Sequence, residues 1–462
     1  MKSFVVPTGR IWAGLRYRLA EVPWARSLRL RLRAGAYGGG ARADSTRSEV
    51  ERNVRYLYIE IFWAAIFSAV FAFNATYALR LGATNQMVGW LSSLPSLFAM
   101  FLMIPAARFL ESRDNPSPWM VGSLALGRAG FLMAALVPWL FPKRAAEVII
   151  ALFVVRTIPI TFFNTAFSPL LADVIPTRDR SRVFANRNII MSATTAAVTF
   201  LAGKWLDAAL QLEWAAFPLN YQLLYVIGGS AALISAFFVS KVRAPDRTAT
   251  RLKPAPKRPQ VRLRDLRKVF RAIVTERRDF ALITVNTLIF NLGAWLVMPL
   301  YTILFVKELG ASDGWIGLNS TLANLGVIAG YALWRPWIAR LGDNRALRLS
   351  VPLAASYAFL VALFPNLTLI LVWGILINLI NPGVNLAHTN VFYRVCPEER
   401  RASYMAIYSS IMNAGAFVCP MIGVALAEVM DIRWVLAIGG IVRLLGGLLF
   451  HVWRIEDGEV VS

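Results

Sequence analysis

Charge is scarce in this sequence, and so are the residues that carry redox and metal chemistry. Of 462 residues only 16% are Asp, Glu, Lys or Arg, and there are two cysteines and two histidines. A soluble chain of this length needs far more charged surface. Cys396 and Cys419 flank most of one helical run, roughly 30 Å apart at the α-helical rise, too far for a disulfide. His388 and His451 are distant in sequence, so no Cys/His cluster exists to hold a metal. No cofactor is expected. Acids are scarcer than bases, 26 against 49, for a net charge of +23.

What is abundant is apolar chain: 57% of residues are hydrophobic and mean hydropathy is +0.54. Several runs exceed the roughly 18 residues that cross a bilayer core. They are continuous rather than alternating, which selects helices over a β-barrel. Twelve spans are expected, over 57–79, 86–107, 118–140, 147–171, 186–206, 220–241, 280–305, 314–334, 348–365, 367–392, 402–427 and 433–453. The fold class is an all-α polytopic membrane protein. The weakest runs are the fifth, which holds Asn188, Ser192, Thr194 and Thr195, and the short ninth.

The placement of the bases explains the net charge. With both termini inside, forty of the forty-nine Lys and Arg fall on the inner side, Arg187 being counted with the loop before the fifth span. Six fall outside: Arg80, Lys143, Arg144, Lys204, Lys307 and Arg433. That asymmetry is the positive-inside pattern of a cytoplasmic membrane protein. The expected partner of the charge is therefore an anionic headgroup layer and not nucleic acid.

Boundaries follow from composition. Residues 1–56 form a basic cytoplasmic segment, 57–241 a first six-helix half, 242–279 a basic linker, 280–454 a second six-helix half and 455–462 a cytoplasmic tail. Within residues 1–43, Ile11, Trp12, Leu15 and Leu19 recur at helical spacing, reading as an amphipathic helix on the membrane. An organelle transit peptide shares the Arg-rich composition but has more serine, and plain disorder around "GAYGGGARADS" is the third reading. In the linker, Leu263, Leu266, Phe270 and Ile273 mark a second amphipathic helix.

The halves repeat. "LGATNQMVGWLSSL" (81–94) returns as "LGASDGWIGLNSTL" (309–322) at an offset of 228. "VIPTRDRSRVFANRNIIM" (174–191) returns as "VCPEERRASYMAIYSSIM" (395–412) at 221. "VIGGSAALISAFFVSKVRAPD" closes the first half much as "AIGGIVRLLGGLLFHVWRIED" closes the chain. Parallel repeats imply a membrane-normal pseudo-twofold with a site between the halves.

Over about residues 50–455 this pattern resembles the major facilitator superfamily. That family carries a loop reading roughly G-x-x-x-D-R-x-G-R-R after span 2, often echoed after span 8. The corresponding stretches are "IPAARFLESRDNPSP" and "RPWIARLGDNR". The second keeps Arg340 and Gly342 but has Ala339 in place of the family's aspartate; the first is further from the pattern and keeps Arg108. The resemblance implies a cytoplasmic gate at Arg108, Arg340 and Gly342, and alternating access by rocking of the halves. The basic loops after spans 4 and 10 also look like that superfamily, and they equally fit topology and helix capping. "GAFVCPMIG" in span 11 resembles the family's antiporter motif, which belongs in span 5, where "TTAAVTFLAG" has no proline.

Polar groups inside apolar runs are the candidate site. Arg156, in "FVVRTIPITFF", lies about ten residues from the outer end of span 4. An arginine facing lipid there costs at least about 3 kcal/mol. Spans 1, 4, 7 and 10 line the cavity in the resembled fold, and many members carry an arginine in span 4. Arg156 is therefore read as a contact for an anionic group or coupling partner, against a structural arginine bonded to carbonyls. Glu60 is roughly 14 Å away in depth, too far for a direct pair; it is either a proton-coupling carboxylate or an interfacial residue facing Arg55. Arg128 and Arg443, in the peripheral spans 3 and 12, are expected to bond neighbouring helices.

Asn378, Asn381, Asn385 and His388 fall on one face of span 10, which Pro382 and Gly383 are expected to interrupt. They read as a hydrogen-bonding wall of the cavity or as interhelical glue. Asn164 aligns with Asn385 and Trp63 with Asn291 by the repeat offsets; Asn291 is preferred over Asn286 for the cavity. Phe67, Phe71, Phe163 and Trp295 offer stacking surface or packing.

The function expected is secondary transport of a small solute, an organic anion or a zwitterion, with a proton as the candidate coupling ion. The alternatives are a transport-inactive receptor or assembly factor of the same fold, an exporter of lipophilic or drug-like compounds, and a membrane-embedded glycosyltransferase. The last is disfavoured by the lack of paired carboxylates in the spans. No catalysis is expected.

Overall fold

The structure is a computed structural model that describes residues 41–113, 115–243, 278–396 and 401–452. The expected amphipathic helices at 1–43 and in the linker lie outside the described residues. The chain divides into two units between Arg52 and Asn53. The second, from Asn53 onward, holds the membrane bundle; the first is described only in the opening turns of a helix that begins at Ala41.

Among the described residues twelve helical spans are present, numbered here in chain order. They are α1 (Ser48–Arg80), α2 (Asn85–Leu110), α3 (Ser117–Leu140), α4 (Ala145–Leu171), α5 (Arg182–Ala209) and α6 (Leu219–Ser240), followed by α7 (Arg278–Glu308), α8 (Asp313–Leu341), α9 (Asp343–Leu363), α10 (Leu367–Val395), α11 (Ile407–Val429) and α12 (Ile432–Val452). The ninth is a full-length span, because Gly342 turns the chain at φ 80° and lets α9 begin at Asp343. The fifth starts earlier than its hydropathy indicates, on a helix that opens at Thr177.

Helix pairing obeys the repeat. In the first half α3 packs on α6, and α2 and α3 on α4; in the second, α9 packs on α12, and α8 and α9 on α10. Across the halves α5 packs on α8 and α11 on α2, each pair being the other's equivalent when the halves are exchanged. The quoted repeat at 81–94 and 309–322 has a local cause. Gly82 and Gly310 occupy the left-handed region at φ 93° and 63°, where side chains are strained. Two residues on, Thr84 accepts from the Met87 N–H and Ser312 from the Trp315 N–H, capping α2 and α8.

These two turns also hold the halves together, reciprocally. Arg80 donates to the Ala311 carbonyl (2.9 Å) and to Asp313 Oδ1 (3.4 Å). Lys307 donates to the Ala83 carbonyl (3.3 Å) and to Asn85 Oδ1 (2.7 Å). Ala83 and Asn85 are the repeat equivalents of Ala311 and Asp313. Asp207, at the end of α5, accepts from the Ser312 hydroxyl and the Gly314 N–H, placing a carboxylate at the positive end of α8. All these residues lie at one end of the bundle.

Below that seal α5 and α8 cross with almost no side chain between them. A Cβ on Gly317 would come within 2.7 Å of the Thr199 carbonyl, and one on Gly203 within 3.0 Å of the Asp313 carbonyl. Thr321 bridges the same crossing by donating to the Ala196 carbonyl at 2.9 Å. Small residues permit this approach, and close packing then supplies the attraction that lipid cannot.

Gly317→Val should therefore wedge the halves apart. In a background with Cys396 and Cys419 replaced by serine, a cysteine at the fully buried Thr199 should label slowly with maleimide. The expected result is faster labelling once Gly317→Val is added; an unchanged rate would mean the crossing tolerates the extra methyls.

Candidate functional site

The polar interior of the first half begins with Glu60, whose residue surface is 2% exposed. It does not face Arg55, which is exposed. Its carboxylate lies 2.9 Å from Arg187 of α5 and 3.9 Å from Arg128 of α3, and accepts from the Ser235 hydroxyl of α6 at 3.1 Å. Each arginine has a second anchor: Arg187 donates to the Leu57 carbonyl at 2.6 Å and Arg128 to the Ala232 carbonyl at 2.9 Å. One carboxylate thus ties four helices. Arg187 does not belong to the inner loop with which its charge is counted; it is buried because α5 starts before its apolar run does.

Arg156 is a different case. It is 8% exposed and no carboxylate is paired with it among the described residues. Its guanidinium carbon lies 4.7 Å from the Phe131 ring centroid, 4.9 Å from Phe71 and 5.7 Å from Phe67. Its Nε is buried without a hydrogen-bond partner. Ring faces recover part of the lost hydration, about 2 kcal/mol where the cation is desolvated.

The surrounding chain makes room for it. Helix α4 breaks at Arg156, into Ala145–Val155 and Thr157–Val174. Pro159 has no N–H for the Val155 carbonyl, and the Thr157 hydroxyl donates to the Val154 carbonyl at 2.6 Å. The arginine's stem lies against Gly130 of α3, where a Cβ would come 3.5 Å from its own Cβ. Phe71 is 46% exposed, so the aromatic cage has one open side.

Glu60, Trp63, Phe67 and Phe71 share one stripe of α1 by helical spacing. The stripe leads from the carboxylate tie to the arginine cage, and Arg128 lies 5.7 Å from the same Phe67 centroid as Arg156. Trp63 itself is half-buried and meets Phe62 edge-on.

The second half presents amides rather than cations. Helix α10 runs unbroken from Leu367 to Val395, so the interruption expected at Pro382 and Gly383 does not occur. Gly383 instead accepts the Trp334 ring against its backbone, and the Trp334 indole N–H donates to the Leu379 carbonyl at 3.1 Å. Along this helix Asn378 donates to the Gly374 carbonyl, Asn381 is half-buried and Asn385 is exposed. Asn164 on α4, the repeat equivalent of Asn385, is exposed as well, and Asn291 on α7 is half-buried. Asn286 is wholly buried.

His388 is not grouped with those amides. Its Nε2 lies 2.9 Å from the Thr287 hydroxyl and 3.4 Å from the Tyr408 hydroxyl, joining α7, α10 and α11. Tyr408 is the repeat equivalent of Arg187, so each half ties its helices at this level by different chemistry. Arg443 packs over Phe290, 4.4 Å from its centroid.

At the far end of the bundle Gly342 forms the turn between α8 and α9, and Arg108 and Arg340 are exposed. The acid of that turn is Asp343, which accepts from Asn390 at 2.8 Å and lies 3.9 Å from Arg394.

Comparison with known proteins agrees with this architecture. A model of the Major Facilitator Superfamily matches residues 59–291 and again 283–461. The chain belongs to the major facilitator superfamily. This is a family of membrane transporters, and the two matches are the two six-helix halves. No curated protein matches the chain. Among solved structures it is similar to the nucleoside transporter NupG (D323A mutant) at 13% identity and TM-score 0.65, covering 87% of this chain and 100% of that one. It is also similar to a bacterial homologue of the iron transporter ferroportin, inward-facing, at 12% identity and TM-score 0.64, covering 88% and 99%. A bacterial homologue of the lysosomal transporter Spinster gives 13% identity and TM-score 0.58, covering 91% and 100%. At these identities the likeness is one of fold.

The carboxylate tie predicts a specific order of stabilities. Glu60→Gln leaves two buried guanidinium groups unmatched, a loss of about 3 kcal/mol. Its apparent Tm in detergent should fall further than that of the double variant Glu60→Leu/Arg187→Leu, which removes the closer pair together. The reverse order would show that Glu60 does not hold the arginines.

Proposed function

We propose that this chain is a secondary active transporter that moves a small solute with an anionic group, an organic anion or a zwitterion, across a cytoplasmic membrane. The observation that carries this reading is Arg156. A guanidinium held in an aromatic cage, with no carboxylate paired to it among the described residues and with the Phe71 wall exposed, is arranged to receive a negative group from outside the protein. Charge-assisted hydrogen bonds to that group would use the N–H edges that the rings leave uncovered.

The two-half architecture supports alternating access, in which the Arg156 cage and the amides Asn164, Asn291, Asn378, Asn381 and Asn385 face each other around the solute. On this reading Trp63 and Phe67 supply apolar surface along α1. His388 serves as a helix tie behind the amide row and not as a solute contact. Glu60, engaged by two arginines and the Ser235 hydroxyl, serves as the structural tie of the first half. Arg108, Arg340 and Gly342 belong to the gate region at the opposite end from the Arg80–Asp313 contact. The inner-side excess of Lys and Arg supports the orientation with both termini in the cytoplasm, beside anionic headgroups.

The test is ligand-induced stabilisation of the purified protein. A solute at 100 times its Kd adds about 2.7 kcal/mol to stability. Carboxylates and phosphate esters should raise the apparent Tm of the wild-type protein, and Arg156→Gln should remove the effect without unfolding the protein. Stabilisation that persists in Arg156→Gln, or that comes only from neutral or cationic solutes, would assign Arg156 a structural role.

A further inference from the structure

Resting on that reading of Arg156, we infer that the solute is a dianion, with two acidic groups or a phosphate monoester, and not a zwitterion. Charge balance inside the first half points to it. Four ionic side chains lie buried there among the described residues: Glu60, Arg128, Arg156 and Arg187. Together they carry two positive charges more than negative.

The excess has a location. Arg187 takes the near contact with Glu60, at 2.9 Å, and lies toward α5. Arg128 meets the same carboxylate only as an ion pair at 3.9 Å, and its hydrogen bond goes to the neutral Ala232 carbonyl. Arg156 meets no carboxylate among the described residues. The two under-matched guanidinium groups flank one ring, each 5.7 Å from the Phe67 centroid, so they cannot be more than twice that distance apart. A solute seated on Arg156 therefore lies within the field of Arg128, across a single phenylalanine.

A monoanion neutralises one of the two charges and leaves the other. An ammonium on a zwitterion adds a third cation to the group. A second negative charge is favoured instead: about 11 Å from Arg128, the farthest the two guanidinium carbons can lie apart, at an effective dielectric constant of about 20, it gains about ten-fold in affinity. Direct contact with Arg128 is not required, because the interaction acts through a low-dielectric wall. The amides of α10 and Asn164 remain available for the uncharged body of the solute. They add hydrogen bonds without altering the charge count.

Three four-carbon solutes separate the possibilities: succinate, butyrate and 4-aminobutyrate, as dianion, monoanion and zwitterion. The full-length protein in detergent at pH 7.5 is titrated with each while apparent Tm is followed, with glycerol 3-phosphate against glycerol as a second pair. Succinate should stabilise at about one-tenth the concentration of butyrate. Arg156→Gln should abolish all stabilisation. Arg128→Gln should bring succinate to within a few-fold of butyrate, whereas Arg128→Lys, which keeps the charge, should retain the preference. Glu60→Gln, which raises the excess by one, should widen it, so the outcome does not depend on the folding of one variant.

Equal or better stabilisation by butyrate or 4-aminobutyrate, still lost in Arg156→Gln, would overturn the dianion while leaving the anion-transporter reading in place. No stabilisation by any of these acids, or stabilisation indifferent to Arg156, would overturn both. A succinate preference untouched by both Arg128→Gln and Glu60→Gln would overturn the role given to charge balance.

Discussion

A charge taken into a low-dielectric interior must be matched there, and most of the first half is organised around that requirement. One carboxylate, Glu60, cannot match three guanidinium groups. It is shared between Arg187 and Arg128, and their remaining N–H groups are directed at backbone carbonyls of α1 and α6. Arg156 is stabilised by other means: a helix break at its own position, close packing of its stem on Gly130 of α3, and three ring faces. These compensations are partial, since its Nε is left without a partner. This partly compensated cation is the feature on which the proposed solute contact rests.

The pseudo-twofold sharpens the point, because it shows which features are scaffold and which are not. The capped turns at Gly82 and Gly310, the pairings of α3 with α6 and α9 with α12, and the reciprocal grips of Arg80 and Lys307 are shared by both halves. The charged interior is not shared. The repeat equivalent of Arg156 is Ile377, that of Arg187 is Tyr408, and that of Trp63 is Asn291. One half has become basic and aromatic, while the other, apart from Arg443 over Phe290, keeps neutral hydrogen-bonding groups. On the proposed reading, a solute held between them would meet unlike walls, which would fix its orientation.

How much of this is legible in the sequence depends on the range of the interaction. Span number and the repeat are properties of local hydropathy and spacing, and both can be read there with ends displaced by a few residues. Arg156 is visible as a lone charge in an apolar run. Its cage is not, since Phe131 belongs to another helix and only the fold brings it alongside Phe67 and Phe71. Arg187 is misplaced by hydropathy because it follows three arginines of a basic loop and is averaged with them. Pro382 misleads in the opposite sense: a proline in a long buried helix need not break it, and α10 continues through it, whereas α4 breaks three residues before Pro159. Burial of Glu60 among residues 128, 187 and 235 cannot be read from spacing at all.

The contacts within and between the halves differ in kind, and the difference bears on the proposed mechanism. Inside the first half the ionic tie is buried and anchored at four helices. Separating it would strand charges in the membrane, so α1, α3, α5 and α6 are expected to move as one body. Between the halves one polar contact, Thr321 to the Ala196 carbonyl, lies along the α5–α8 crossing; the other described ones gather at one end, several with accessible groups such as Lys307 with Asn85 and Ser312 with Asp207. Water can replace these accessible contacts at small cost. The glycine crossing of α5 and α8 is held mainly by backbone packing, with the Thr321 hydroxyl bonded across it. Strong ties within each body and exchangeable ones between them are what a rocking motion requires. The cage around Arg156 is built from α1, α3 and α4 of one body alone. It would therefore travel intact as the halves move, while the amides of the other half approach or withdraw.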